Sequence, residues 1–208
     1  MAIKLDFYNL NTSNRIVYIN DEIYTEIARD ITKQIDSLIA NDIKDTETNK
    51  KVIEECYPGV STDFLSKRDN IPHVTVYVDS PGGSVYSMFT IYDKLVELQK
   101  HCIVDILGSG IIASAAVPIF LSIDKKHRKC SKNTTFLIHQ ASDLEFGTLK
   151  DIEDQTVELK RLNDNVFKSI MQNTSISKEQ LDEVYEKKKD WIISADEAKK
   201  LGIVSEVL

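Results

Sequence analysis

The sequence predicts an α/β fold, and three observations lead there. Short runs rich in β-branched residues, at 15–20 (RIVYIN), 73–78 (HVTVYV), 103–107 (IVDIL) and 135–140 (TFLIHQ), alternate with stretches of helical apolar spacing. Small-residue turns follow two of these runs, SPGGS after residue 78 and a Gly/Ser/Ala-rich stretch after residue 107. Ser177-x-x-Gln180 and Ser194-x-x-Glu197 have the spacing of reciprocal helix caps. Repeated strand–helix units of this kind build a sheet with helices packed on it.

Taken in order, residues 15–20 form the first expected strand. Ile23, Ile27, Ile31, Ile35, Ile39 and Ile43 then recur every four residues, which places them along one side of a helix, with Asp21 and Glu22 expected in its first turn. From 44 to 71 the pattern breaks into mixed charge with a Pro58-Gly59 turn signal, and the expectation is a surface insertion with one short helix near 50–56. Val85, Met88, Phe89, Tyr92, Leu95 and Val96 mark the helix after SPGGS, and a long helix is expected over 149–172, with Leu149, Ile152, Leu159, Leu162, Val166 and Ile170 near one face. Gly202 suits the position after the last helix, before a final strand over 203–207. All of this fits one domain spanning 1–208.

Composition narrows the function classes. A net charge of −7 argues against nucleic acid as a main partner, because phosphate binding wants a basic face. Cys56, Cys102 and Cys130 form no CxxC pair and lie near no histidine at zinc-ligand spacing, so reduced cytoplasmic thiols are expected and no metal. The N-terminus carries no signal-peptide core, and the 18 uncharged residues 106–123, with two glycines and Pro118, read as buried core rather than a membrane span.

Few residues offer chemistry. Ser114 lies in GSGIIASAA, after a strand and near a helix start, where a hydroxyl can be exposed and free N–H groups can meet an oxyanion. A serine between alanines in an apolar run is still more often a packed core residue. Ser80-Pro-Gly-Gly-Ser84 allows close approach to bare N–H groups, although an ordinary turn is the simpler reading. It lacks the Gly-Lys-Ser/Thr ending of a phosphate loop, so no ATPase site is visible. Of His73, His101, His127 and His139, only His139 ends an apolar strand that would hold an imidazole rigidly. Among 33 acidic residues, spacing selects no orienting carboxylate.

Four blocks in order, VTVYVDSPGGSVYSMFTIYDKL, GSGIIASAAVPIFLS, TTFLIHQAS and KDWIISADEAKKLGIV, closely resemble the proteolytic subunit of the Clp protease, over residues 15–43 and 72–208. The resemblance implies a head of strand–strand–helix units, shared with the crotonase-like fold, and a protruding helix–strand handle at about 141–172. It also implies a serine endopeptidase with Ser114 as nucleophile, His139 as general base and then acid, and Asp190 as orienting carboxylate. Gly83 and Ala115 would supply the oxyanion-hole N–H groups, and Asp190, beside Trp191, would be partly shielded from water. In family members the handles interlock two seven-membered rings into a barrel with the active sites inside, and the resemblance implies a homo-oligomer here, a heptamer or tetradecamer. A separate ATP-dependent AAA+ unfoldase feeds it unfolded polypeptide. The peptidase itself needs no cofactor, and neither a membrane nor nucleic acid is involved.

The chain departs from that pattern at several points. Only 14 residues precede the first strand, the 44–71 segment is long, Lys188-Lys189 precede Asp190 where an Asp–Arg pair is usual, and Ala141 replaces the usual proline after His139-Gln140. These differences bear on double rings and on a standard unfoldase partner. The alternatives are a phage-type head-maturation peptidase of the same fold, or a catalytically silent ring subunit scaffolding an active partner. A Ser–Lys dyad peptidase would tolerate loss of His139, and an acyl-CoA hydratase would need acidic residues elsewhere.

Overall fold

The computed structural model describes residues 15–66, 72–141, 147–187 and 189–208. Strand β1 (Ile16–Ile19) leads to helix α1 (Thr25–Cys56), a 3-10 turn over Asp63–Ser66, β2 (His73–Ser80), α2 (Val85–Leu98) and β3 (Ile103–Ala113). Helix α3 (Ala116–Leu121), β4 (Arg128–Cys130), β5 (Thr135–Ile138) and α4 (Leu149–Asn173) follow. The chain ends with α5 (Lys178–Glu186), β6 (Trp191–Ser194), α6 (Ala195–Lys200) and β7 (Glu206–Val207). The sheet runs β1-β2-β3-β4-β7, all parallel.

The feature that positions the site is a fork in β3. Its first half pairs with β4, Ile106 to Gly108 against Arg128 to Cys130. Its second half pairs with β5, Ile111 to Ala113 against Thr135 to Leu137, and β5 pairs antiparallel with β6. Gly110, at φ 54°, sits between the two halves, and a Cβ there would collide with the Asp79 carboxylate. Asp79 Oδ1 accepts the Ile111 N–H at 2.9 Å, which fixes the bend. The strand therefore runs well beyond the expected 103–107, because its turn-like small residues find ladder partners in β5.

Apolar β2 residues Val74, Val76 and Val78 are fully buried under α1 and α2, whose Ile35, Met88, Ile91 and Leu95 are equally inaccessible. On the other face Tyr18 and Tyr77 stack at 5.4 Å. Helix α3 is buried on all sides, as its AVPIFL sequence requires, and Phe120 meets Phe136 edge to face.

Three expectations are corrected here. Helix α1 does not stop near residue 43: it continues unbroken to Cys56, so the first half of the 44–71 insertion is helix. Nothing in 44–56 is Gly or Pro, and Thr46 and Thr48 return their hydroxyls to the carbonyls of Asp42 and Lys44. The lost apolar period marks a mostly solvent-facing helix rather than a broken one: Ile43 is exposed, and of residues 44–56 only Ile53 is buried. The helix also starts later than expected. Ile23 makes a β-bridge to Gly83, and the acid of the first turn is Glu26 rather than Asp21 or Glu22. Finally, the last strand is only Glu206–Val207, because the N–H groups of Ile203 and Val204 go to the Ala198 carbonyl closing α6. Gly202, at φ 74°, ends that helix as the sequence implies.

The long helix and both reciprocal caps lie where expected, and Thr148 with Asp151 adds a third such cap at the start of α4. Leu149 and Ile152 are exposed, while Leu162, Phe167 and Ile170 are buried: only the second half of α4 packs on the head. Of the handle expected at about 141–172, residues 142–146 lie outside the described residues.

Candidate active site

Ser114 stands at the tip of the fork, immediately after β3 and two residues before α3. Its φ is 52°, and it is the one non-glycine residue with positive φ among the described residues. Left-handed backbone at a residue with a Cβ costs roughly 1 kcal/mol or more and persists only where the surroundings enforce it. Here the Ser114 N–H is held by the Leu137 carbonyl at 2.9 Å, and the Ser114 carbonyl accepts from Val117 N at 3.1 Å. The residue is thus clamped between β5 and the first turn of α3.

The SPGGS loop lies against this turn. Ser80, fully buried, donates its hydroxyl to the Asp21 carbonyl at 2.6 Å and accepts from Gly82 N at 3.2 Å. A Cβ on Gly82 would lie 2.7 Å from the Ser114 Cβ and 2.9 Å from the Ala115 nitrogen, so the glycine is required for contact. Gly83 bridges in parallel to Ile23 through bonds made by its neighbours: Ile23 N to the Gly82 carbonyl and Ser84 N to the Ile23 carbonyl, both 2.7 Å. In such a bridge the Gly83 N–H points away from Ile23. Neither it nor the Ala115 N–H is bonded among the described residues.

His139 follows the last residue of β5 and is half-buried. It shares with Ser114 a small cavity of about 20 Å³, walled by Val85, Ala115, Ile138, Ala141 and, from α4, Val166 and Ile170. Asp190 immediately precedes β6, and the last pair of the β5–β6 ladder is Ile138 with Trp191, so His139 and Asp190 both lie just beyond the end of that ladder. Among the described residues no hydrogen bond joins Ser114 to His139 or His139 to Asp190. Asp190 is exposed rather than shielded, because it immediately precedes β6, an edge strand paired only with β5.

Ser114, Ala115 and His139 thus line one small cavity, the paired-glycine loop lies against Ser114 through Gly82, and Asp190 immediately precedes β6. A model of the Clp protease family matches residues 46–208. The chain belongs to the Clp protease family. It is 33% identical to the ATP-dependent Clp protease proteolytic subunit 3 of Rhizobium johnstonii over 135 residues, covering 65% of this chain and 68% of that protein. It is 30% identical to the proteolytic subunit 1 of Thermobifida fusca over 185 residues, with 80% of each covered. The solved structure of a ClpP1 point mutant from Listeria monocytogenes superposes with a TM-score of 0.68 at 27% identity, covering 93% of this chain and 91% of that one. The fold is therefore the Clp protease fold, and the coarse function is that of a protease subunit.

In this Clp protease the other histidines lie elsewhere. His127 and His73 both approach Asp105, at 2.8 and 3.3 Å, near the start of β3, beside a larger cavity of about 200 Å³ lined by Lys100, His101, Cys102 and Lys126. That cavity is at the opposite end of β3 from Ser114. Among the described residues no cluster of three or more metal-binding side chains occurs, and no helix is long and apolar enough to cross a membrane. Cys102 and Cys130 are buried, which pushes both thiols up, Cys102 to about 11, and leaves them poor nucleophiles.

Sequence reasoning missed two contributors. Asp79 shapes the fork, and the SPGG signal stood directly beside it. Asn163 of α4 accepts the Ala141 N–H at 3.1 Å, two residues past His139, and no sequence signal marked it.

Proposed function

We propose that this Clp protease family member is a serine endopeptidase whose nucleophile is Ser114. The observation that carries the reading is the Ser114 backbone: a strained, clamped serine at a strand end, sharing a cavity with a histidine and pressed against a paired-glycine loop. Strain of this kind concentrates where geometry matters more than stability.

In the proposed reaction His139 takes the Ser114 Oγ proton as Oγ bonds to the scissile carbonyl carbon. Asp190 orients the imidazole through its second nitrogen. The carbonyl oxygen, now an oxyanion, is met by the N–H groups of Gly83 and Ala115, each such donor being worth ~3 kcal/mol to the transition state. His139 then gives its proton to the leaving amine as the C–N bond breaks. Water, deprotonated by His139, hydrolyses the acyl-enzyme and returns Ser114 to its resting state. Apart from substrate and water, every group in this cycle comes from the chain, with no cofactor, and ATP is used only by a partner.

The open contacts between Ser114, His139 and Asp190 fit an enzyme completed by assembly, since apo sites often tighten only when engaged. The proposed assembly is a ring of this chain acting on unfolded polypeptide delivered by a separate AAA+ unfoldase in the cytoplasm. Exposed apolar residues on α4 and β6, Leu149, Val157 and Ile192, supply the surface for it. The same open contacts favour a second reading, a silent ring subunit that scaffolds an active partner. Intact mass after incubation with a fluorophosphonate separates them. One adduct, absent in Ser114→Ala, supports the peptidase; no adduct on the assembled protein supports the silent subunit.

A further inference from the structure

The side of α4 that walls the cavity carries Val166 and Ile170, and one turn earlier it carries Asn163. Positions three and seven residues apart share a helix face, and an apolar residue is the default on such a face. Asn163 is only 4% exposed, so its amide has left water and requires a partner. It finds one in the main chain: its Oδ1 accepts the Ala141 N–H at 3.1 Å.

The location of that bond is what gives it meaning. The β5–β6 ladder ends at the pair Ile138 and Trp191, so His139, Gln140 and Ala141 have left the sheet. The His139 side chain makes no hydrogen bond among the described residues, so its direction depends on how the main chain is held on either side. The ladder holds the upstream side, and Asn163 holds the downstream side.

We propose that Asn163 is a positioning residue for His139, fixing the chain that leaves β5 so that the imidazole is presented to Ser114. This rests on the peptidase reading above. It also accounts for Ala141. An alanine there brings an N–H that needs an acceptor, whereas a proline would bring none. Asn163 and Ala141 therefore act as a matched pair, and their effects are non-additive.

The test is a double-mutant cycle on the full-length chain, reading the rate of fluorophosphonate labelling of Ser114 against pH alongside the melting temperature. Asn163→Leu leaves the partly buried Ala141 N–H without that acceptor, and labelling is expected to slow on the order of ten-fold. Ala141→Pro alone strands the Asn163 oxygen and slows labelling similarly. The double variant removes both polar groups and is expected to return to within about two-fold of the unaltered protein. Slowing that tracks the melting temperature, additive losses in the double variant, or an Asn163→Leu protein labelled at the original rate would each overturn the proposal.

A protein in which Ser114 is never labelled sinks the peptidase reading, and a separate readout then decides the positioning role. The ring resonances of His139 are expected to shift in Asn163→Leu and to return in the double variant. Unmoved resonances would overturn the positioning role whatever the activity.

Discussion

At the scale of the residue, Ser114 and Gly82 define each other. A Cβ in the left-handed region favours glycine, so Ser114→Gly should be more stable than Ser114→Ala by about 1 kcal/mol, read from urea midpoints at constant slope. Equal stability would mean that the clamp, not intrinsic strain, sets that backbone. Gly82→Ala places a methyl 2.7 Å from the Ser114 Cβ and 2.6 Å from the Ala113 carbonyl oxygen, contacts that backbone cannot yield to cheaply. Fluorophosphonate labelling should fall at least about a hundred-fold, the loss typical of an oxyanion site pushed out of place. Far-UV dichroism should remain that of the folded chain.

Side-chain ties between elements carry the next scale. Arg15, at the foot of β1, donates to both oxygens of Asp42 on α1, at 2.6 and 2.8 Å, and its Nε reaches the His73 carbonyl. Asp42 is 8% exposed, so the pair holds the middle of the long helix against the strand edge. Asp42→Ala should cost about 2 kcal/mol in urea denaturation, because the guanidinium loses two charge-assisted bonds yet keeps some access to water. A second tie joins α2 to α4. Glu158 accepts from Arg161 and from the Tyr86 hydroxyl, the arginine bonds being the larger cause that lowers its pKa to about 2. The sign follows: a depressed carboxylate stabilises the fold above its ordinary pKa of 4.5, and that contribution disappears as pH falls through about 2. A carbon-detected titration should find Glu158 still ionised at pH 3.5, and an ordinary midpoint would mean that the tie is absent in solution.

For the whole molecule the question is what covers the exposed handle. Leu149 and Val157 are 75% and 71% exposed on one helix. For the proposed ring, sedimentation should find a sevenfold or fourteenfold multiple of the 23.6 kDa chain, and Leu149→Glu with Val157→Glu should shift it to smaller species while leaving the head folded. A monomer at micromolar concentration, with Ser114 nevertheless labelled, would show that the site is complete without a ring.

Much of this molecule was legible in its sequence because much of it is locally determined. Strand and helix periods, the two Ser-x-x-Gln/Glu caps, Gly202 at a helix end and the SPGGS turn all act within a few residues, where sterics and hydrogen bonding need no distant partner. Helix α1 escaped past residue 43 because a solvent-facing helix has no apolar period to read. The fork in β3 and the bond from Asn163 to Ala141 were invisible for a different reason. Each joins segments more than twenty residues apart, so only packing determines it. The sequence by itself determined which side chains were available to do chemistry, Ser114, His139 and Asp190 among them. The tertiary structure alone decided that β3 bends at Gly110, that β5 and β6 pair in a register ending at Ile138 and Trp191, and that Ser114 lies in a left-handed turn against Gly82, because register and close approach are properties of the folded sheet.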